Sequence, residues 1–234
     1  RIINNNKTVA HLKNIRIQAA LTPKKFDLSL TESWLKPFKL NNVISIKGTP
    51  KDYAIIINNQ LGTQQMTLRG HGNTQGLQLK ITRSFSKAPI NAKLVLTWLP
   101  QISWNLTMSG KKIDLSPILE NAPLISKLNI SSKGHLVNQQ AIFSLQTTIH
   151  SNNNHLDLKV SHHAHWRAQW DIHLNNQFYS LPIQLASIQS KGSLQGDLTH
   201  LVSHGQAKIT SLEYNSLRFN KLNATWDIPP PKKH

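Results

Sequence analysis

The chain has 234 residues, 38% of them hydrophobic, with 27 basic against 10 acidic residues and a formal net charge of +17. Cysteine is absent, which excludes a disulfide framework, a zinc–thiolate site and a thiol nucleophile. The longest dense apolar runs, such as Leu94–Leu99, fall far short of the ~20 residues that a membrane-spanning helix needs.

Alternation of apolar and polar residues is the dominant signal along the chain, and it predicts strands. In chain order the apolar parities are Phe26, Leu28 and Leu30, then Leu77, Leu79 and Ile81, then Leu94, Leu96 and Trp98. Trp104, Leu106 and Met108 follow, then Phe143 and Leu145, then Leu156, Leu158 and Val160. Trp166, Ala168, Trp170, Ile172 and Leu174 make the longest run, and Leu222, Ala224, Trp226 and Ile228 the last. Turn-forming clusters lie at Lys47–Lys51, Gly70–Gly76, Ser109–Lys112, Ser151–Asn154, Asn175–Gln177 and from Thr225 onward. The count is about fifteen strand candidates at the 8–12-residue spacing of meandering β architectures. Helix signals are confined to single turns at Ser116–Glu120, Thr31–Lys36 and Asp197–Val202.

An irregular repeat runs through this pattern. Lys-Gly pairs at Lys47-Gly48, Lys133-Gly134 and Lys191-Gly192 are expected to end strands. Each is followed by Ala and β-formers, and preceded by a Trp and a proline-bearing crossover. The expected organisation is one continuous β segment over 1–228, with internal repeats near 30–100, 101–165 and 166–228 and a Pro/Lys tail at 229–234. A start on Arg and an end on "IPPPKKH" read as a piece cut from something longer.

Such a ribbon has an apolar face and no helix to cover it. It must close as a barrel, pair with another sheet, or enclose something apolar.

The order of "KGTPKDYAIII" (Lys47–Ile57), "QMTLRGHGNTQGLQLKI" (Gln65–Ile81), "WNLTMSGKKIDLSPILENAP" (Trp104–Pro123) and "KLNISSKGHL" (Lys127–Leu136) resembles the TamB family of AsmA-like envelope proteins. The stretches Trp170–Leu201 and Gln206–Ile228 are similar to that family's next repeat. The resemblance implies an all-β fold, a long curled antiparallel sheet forming an open apolar groove (a β-taco, or repeating β-groove). It implies a periplasmic segment of a chain anchored in the inner membrane of a Gram-negative cell. It also implies phospholipid acyl chains as cargo, adjoining β-groove modules of the parent chain, an outer-membrane partner of the TamA type, and no cofactor or catalytic residue. The residues expected to line the groove are Leu94, Leu96, Trp98, Trp104, Leu106, Phe143, Leu145, Leu156, Leu158, Val160 and Trp170. A scaffold for assembling outer-membrane proteins is the alternative within the same family.

Other chemistries are weaker. Histidines cluster at His155, His162, His163, His165 and His173. His163 and His165 would share a strand face, a two-ligand seed for a metal with Asp157 and Asp171 as acidic helpers nearby, but the loss of alternation at Ser161–His165 predicts a turn there, and no metal is expected. Gly70–Gly76 imitates a phosphate loop but leads into a strand-like "LQLKI", where a dinucleotide site needs a helix. Six tryptophans with a positive charge suggest single-stranded nucleic acid. Yet five of them share parity with aliphatic neighbours, the mark of a core or groove wall, so no nucleic acid is expected. An outer-membrane barrel would need aromatic girdles at both strand ends, and none is evident. Four glycosylation sequons, at Asn6, Asn105, Asn129 and Asn223, are chance in so Asn-rich a chain.

Overall fold

The protein is described from a computed structural model, which covers residues 2–4, 7–21, 25–36, 40–61, 64–84, 87–114, 116, 124–152, 154–175, 184–197, 200–214 and 217–229. These residues form sixteen strands and contain no helix, hence none long and apolar enough to cross a membrane. The chain divides into two compact units, Arg1–Trp104 and Asn105–His234.

Unit 1 contains β1 (Ile2–Asn4), β2 (Lys7–Leu21), β3 (Phe26–Lys36), β4 (Leu40–Thr49), β5 (Asp52–Leu61), β6 (Gln64–Gly72), β7 (Gly76–Arg83) and β8 (Ile90–Thr97). Each strand pairs antiparallel with the next in the chain. Unit 2 takes up most of β9 (Ser103–Ile113), then β10 (Ile125–Val137), β11 (Gln140–Ser151), β12 (Asn154–His162), β13 (Trp166–Asn175), β14 (Gln184–Asp197), β15 (His200–Tyr214) and β16 (Leu217–Ile228). These too lie in chain order, and among the described residues no pair closes either unit on itself.

Local chemistry sets the register. Asn138 and Gln139 both have positive φ (48° and 65°), as a two-residue type I′ turn requires, and they join β10 to β11 without splaying the strands. Asn73 folds the β6–β7 turn, its Oδ1 accepting from the backbone N–H groups of Gln75 and Gly76 at 2.8 and 3.1 Å. The β11–β12 end is closed by two buried polar side chains. Ser151 donates to the Leu124 carbonyl at 2.6 Å, and Asn154 Oδ1 accepts from the Asn175 N–H at 2.5 Å.

Several expected breaks are continuous strand. Thr31–Lys36 lies inside β3, and Asp197 and His200–Val202 belong to the β14–β15 hairpin, so neither is a helical turn. Of Ser116–Glu120 only Ser116 is described, and it is a turn residue. Ser109–Lys112 does not break β9: Lys112 takes φ 53°, the alternation slips by one residue, and Ile113 returns to the buried side, 1% exposed. Thr225 lies within β16, and Lys133-Gly134 and Lys191-Gly192 lie within β10 and β14 rather than at their ends. Among these, Gly192 serves packing: a Cβ there would meet the Trp170 ring at 2.5 Å.

A conventional core is missing from both units. Among the described residues the fully buried hydrophobic side chains are Ile55, Leu79, Ile90, Ile113 and Leu128. With strands paired edge to edge and no helix among the described residues, most other described apolar side chains stay half-buried, and some, such as Leu99 and Ile228, are exposed.

Candidate functional site

Side chains that face each other across an antiparallel pair project to the same side of the sheet, so the registers show what each face carries. In unit 1 one row runs Leu28, Ile46, Ile55, Gly70, Leu79, Leu94, one residue per strand from β3 to β8. The neighbouring rows on that side are Leu30, Ile44, Ile57, Leu68, Ile81 and Gly48, Tyr53, Gly72, Leu77, Leu96. Leu94 and Leu96 therefore lie where the alternation put them, on a continuous apolar face. Trp98 sits just beyond β8, where its indole N–H donates to the Thr74 carbonyl at 2.7 Å and its backbone N–H to the Gln75 carbonyl at 2.8 Å. It is tied to a turn, not displayed on a strand. Trp104 opens β9 and is half-buried.

Unit 2 repeats the construction. Leu145, Val160, Ala168, Leu194 and Ser203 form one row from β11 to β15, and Ile149, Leu156, Ile172, Ser190, Ala207 and Ala224 another. Between them runs Thr147, Leu158, Trp170, Gly192, Gly205, Trp226. The two glycines leave room for the two indoles. Trp170 and Trp226 lie over Gly192 and Gly205 and stack on each other, ring centroids 6.3 Å apart and 12° from parallel. Each indole N–H donates to a serine hydroxyl at 3.0 Å, Trp170 to Ser190 and Trp226 to Ser203. Phe143 shares the face and packs edge-on against Trp166 at 5.7 Å, with His162 beside both. On β9, Leu106 alternates as a half-buried position between exposed Asn105 and Thr107. The expected lining residues of this unit from β11 to β13, Phe143, Leu145, Leu156, Leu158, Val160 and Trp170, are thus brought onto one side of one sheet. All of them remain half-buried. Fully burying one large apolar side chain gains roughly 1.5–3 kcal/mol, so a face of this kind retains unspent driving force for contact with apolar matter.

The opposite face of unit 2 pairs histidines with aspartates that the sequence only places in one neighbourhood. His150, His155 and His173 are consecutive across β11, β12 and β13, their rings edge-on at 6.0 and 5.8 Å. Each of the first two reaches diagonally to a carboxylate on the following strand: His150 to Asp157 at 3.2 Å and His155 to Asp171 at 3.1 Å. Lys191 joins Asp171 at 3.1 Å, and His204 joins Asp227 at 2.7 Å. Asp157 and Asp171 face each other directly, so like charges would repel without these partners. Burial pushes the Asp157 carboxyl up, but hydrogen bonds from Thr148 and His150 and the nearby imidazolium charges outweigh it and hold the group below its usual range. Asp171 is also lowered, first by its hydrogen bonds from His155 and Lys191. These carboxylates are more than 40% exposed, and exposed pairs of this kind contribute little stability each. Their spacing of i to i+2 across strands was present in the sequence but has meaning only once the register is known.

His163 and His165 fall in the β12–β13 turn, not on a strand, and His165 Nδ1 lies 2.5 Å from Asp197. Among the described residues no three His, Asp or Glu side chains gather as a metal site requires. The glycines of Gly70–Gly76 lead from β6 into β7, a strand and not a helix. No family model matches the chain, and no curated protein or solved structure matches it either.

Proposed function

We propose that this chain is a periplasmic segment of a TamB-type, AsmA-like protein. Its apolar face would curl into a groove that shields phospholipid acyl chains between the inner and outer membranes. On this reading the segment is not an enzyme and needs no cofactor; neighbouring modules of the parent chain continue the path, and a TamA-type protein stands at the outer membrane. The observation that carries the reading is the pair of apolar faces, aligned strand by strand and left half-buried, with no covering layer among the described residues. Acyl chain placed against such a face gains roughly 0.8 kcal/mol per buried methylene. That gain is nonspecific and nearly equal from row to row, so a lipid could slide along it without a deep well.

The test is photo-crosslinking in cells with a reactive side chain at Leu96 or Leu158, and at Asn129 on the opposite face as control. Lipid adducts at the two leucines and none at Asn129 are expected. Adducts to nascent outer-membrane proteins in their place would favour the scaffold reading, and equal lipid labelling at all three positions would defeat the groove.

A further inference from the structure

We propose that the polar face of unit 2 carries a binding recess for a small, hydroxyl-rich anion bearing two or more phosphates. A recess of about 1080 Å³ opens there, lined from β9 to β15, and its lining includes Lys133, Lys159 and Arg167. By register Lys133, Ser144, Ser161, Arg167 and Gln195 form one row of that face, and Gln146, Lys159, Gln169, Ser193 and His204 the next. The three cations therefore point to one side of one sheet, within a few strand spacings of about 4.8 Å.

Three observations select the ligand class. First, the cations are unspent. Lys47 and Lys191 are neutralised by Asp27 and Asp171, but no described carboxylate stands within ion-pair distance of Lys133, Lys159 or Arg167. The carboxylate in the lining, Asp197, is engaged by His165. Second, the polar side chains between the cations are mainly serine hydroxyls and glutamine amides, groups that both donate to and accept from a sugar-like hydroxyl, while Leu145, Val160, Ala168 and Leu194 also border the recess. Third, the lining contains no Trp, Tyr or Phe. Bases of a nucleic acid would find nothing to stack on, because Trp166 and Trp170 project to the other face. Arg167 supplies the planar fork that grips a phosphate with two parallel hydrogen bonds, and the lysines supply point charges for a second group. The site is independent of the acyl-chain reading, since it lies on the reverse of the apolar face.

The experiment is calorimetric titration of the intact chain, at physiological ionic strength, with glucose 1,6-bisphosphate and separately with phosphatidylcholine vesicles doped with phosphatidylinositol 4-phosphate, whose headgroup carries two phosphates on a hydroxyl-rich ring. Two triple variants are compared, Lys133→Gln/Lys159→Gln/Arg167→Gln in the recess and Lys51→Gln/Lys80→Gln/Lys93→Gln in unit 1, with the single variant Lys159→Gln as a milder recess change. Each recess cation is expected to be worth about tenfold in affinity for the bisphosphate, so the recess triple loses binding and K159Q weakens it about tenfold. The unit 1 triple, with the same loss of charge, changes it less than about threefold. Binding of vesicles with the same dependence on the recess identifies a lipid headgroup as the source, and binding of the bisphosphate alone a soluble one. Equal losses in both triples would reduce the effect to net charge and overturn the site, as would no binding of the bisphosphate by the unaltered chain.

Discussion

The two units share one side and differ on the other. In both, consecutive strands align aliphatic side chains into rows: Leu28, Ile46, Ile55, Leu79 and Leu94 in unit 1, and Ile149, Leu156 and Ile172 in unit 2. In both, an aromatic ring lies over a glycine on the apolar side, Tyr53 over Gly72 in one and the stacked Trp170 and Trp226 over Gly192 and Gly205 in the other. The polar sides diverge. Among the described residues unit 1 pairs Lys47 with Asp27, whereas unit 2 sets histidines and aspartates in an ordered ladder beside a basic recess. The construction common to both units lies on the apolar face, and the two differ on the polar one.

The largest effect that separates the two sides comes from charging the apolar one. Leu158→Lys in unit 2 and Leu96→Asp in unit 1 place an ion where the proposed acyl chain would lie, which costs several kcal/mol unless the chain is displaced. Lipid adducts from probes elsewhere on the same face should fall at least about tenfold, with the β signal in circular dichroism retained. Asn129→Leu, on the other side of the unit 2 sheet, should leave the adducts unchanged. Loss in all three would show that the sheet does not keep its faces separate.

A smaller effect concerns how the aromatic rings are seated. Gly205→Ala drives a methyl into the Trp226 indole, and Gly72→Ala drives one into the Tyr53 ring. Overpacking of this kind costs about 1–3 kcal/mol. The urea midpoint followed by tryptophan fluorescence should drop for Gly205→Ala. Trp170→Phe removes the hydrogen bond to Ser190 and part of the stacking, for about 1–2 kcal/mol. If Gly205→Ala is silent, the stacked indoles are not what holds β13 to β16 in register.

Much of this comparison was legible in the sequence. The parity of Leu94 with Leu96, of Phe143 with Leu145 and of Leu156 with Leu158 grouped neighbours onto one side of each strand, because a strand has a period of two, but it left open which side would face a groove, since a bulge flips the assignment. The clusters at Lys47–Lys51, Gly70–Gly76 and Ser151–Asn154 marked the β4–β5, β6–β7 and β11–β12 hairpins, and Asn175–Gln177 lies largely outside the described residues. Two classes of feature could not be read. Strand interiors holding glycine and lysine, such as Lys191-Gly192 and Ser109–Lys112, imitate turns, since the ring that occupies the glycine gap sits on another strand or the slip is absorbed by one residue of positive φ. The His–Asp ladder was hidden for a deeper reason. His150 and Asp157, or His155 and Asp171, meet only through pairing across strands, and register is not a property of any single segment. Trp98 shares the apolar parity of Leu94 and Leu96 but lies beyond the end of β8, where its indole N–H donates to the Thr74 carbonyl, a partner that parity does not show.

The smallest expected effect lies in that ladder and has a definite sign. Asp157 and Asp171 have carboxyl pKa values below the usual 3.8, so the folded state binds protons at these sites more weakly than the unfolded chain does. Whatever stability they contribute is therefore present above the ordinary carboxylate range and is lost as pH falls through their lowered values. The urea midpoint should therefore decline between about pH 5 and pH 3. Asp157→Asn should flatten part of that slope, and the double change with Asp171→Asn more of it. Because both side chains are largely exposed, high salt should flatten it as well, and a slope that survives both treatments would place the acid-sensitive groups elsewhere than between β11 and β14.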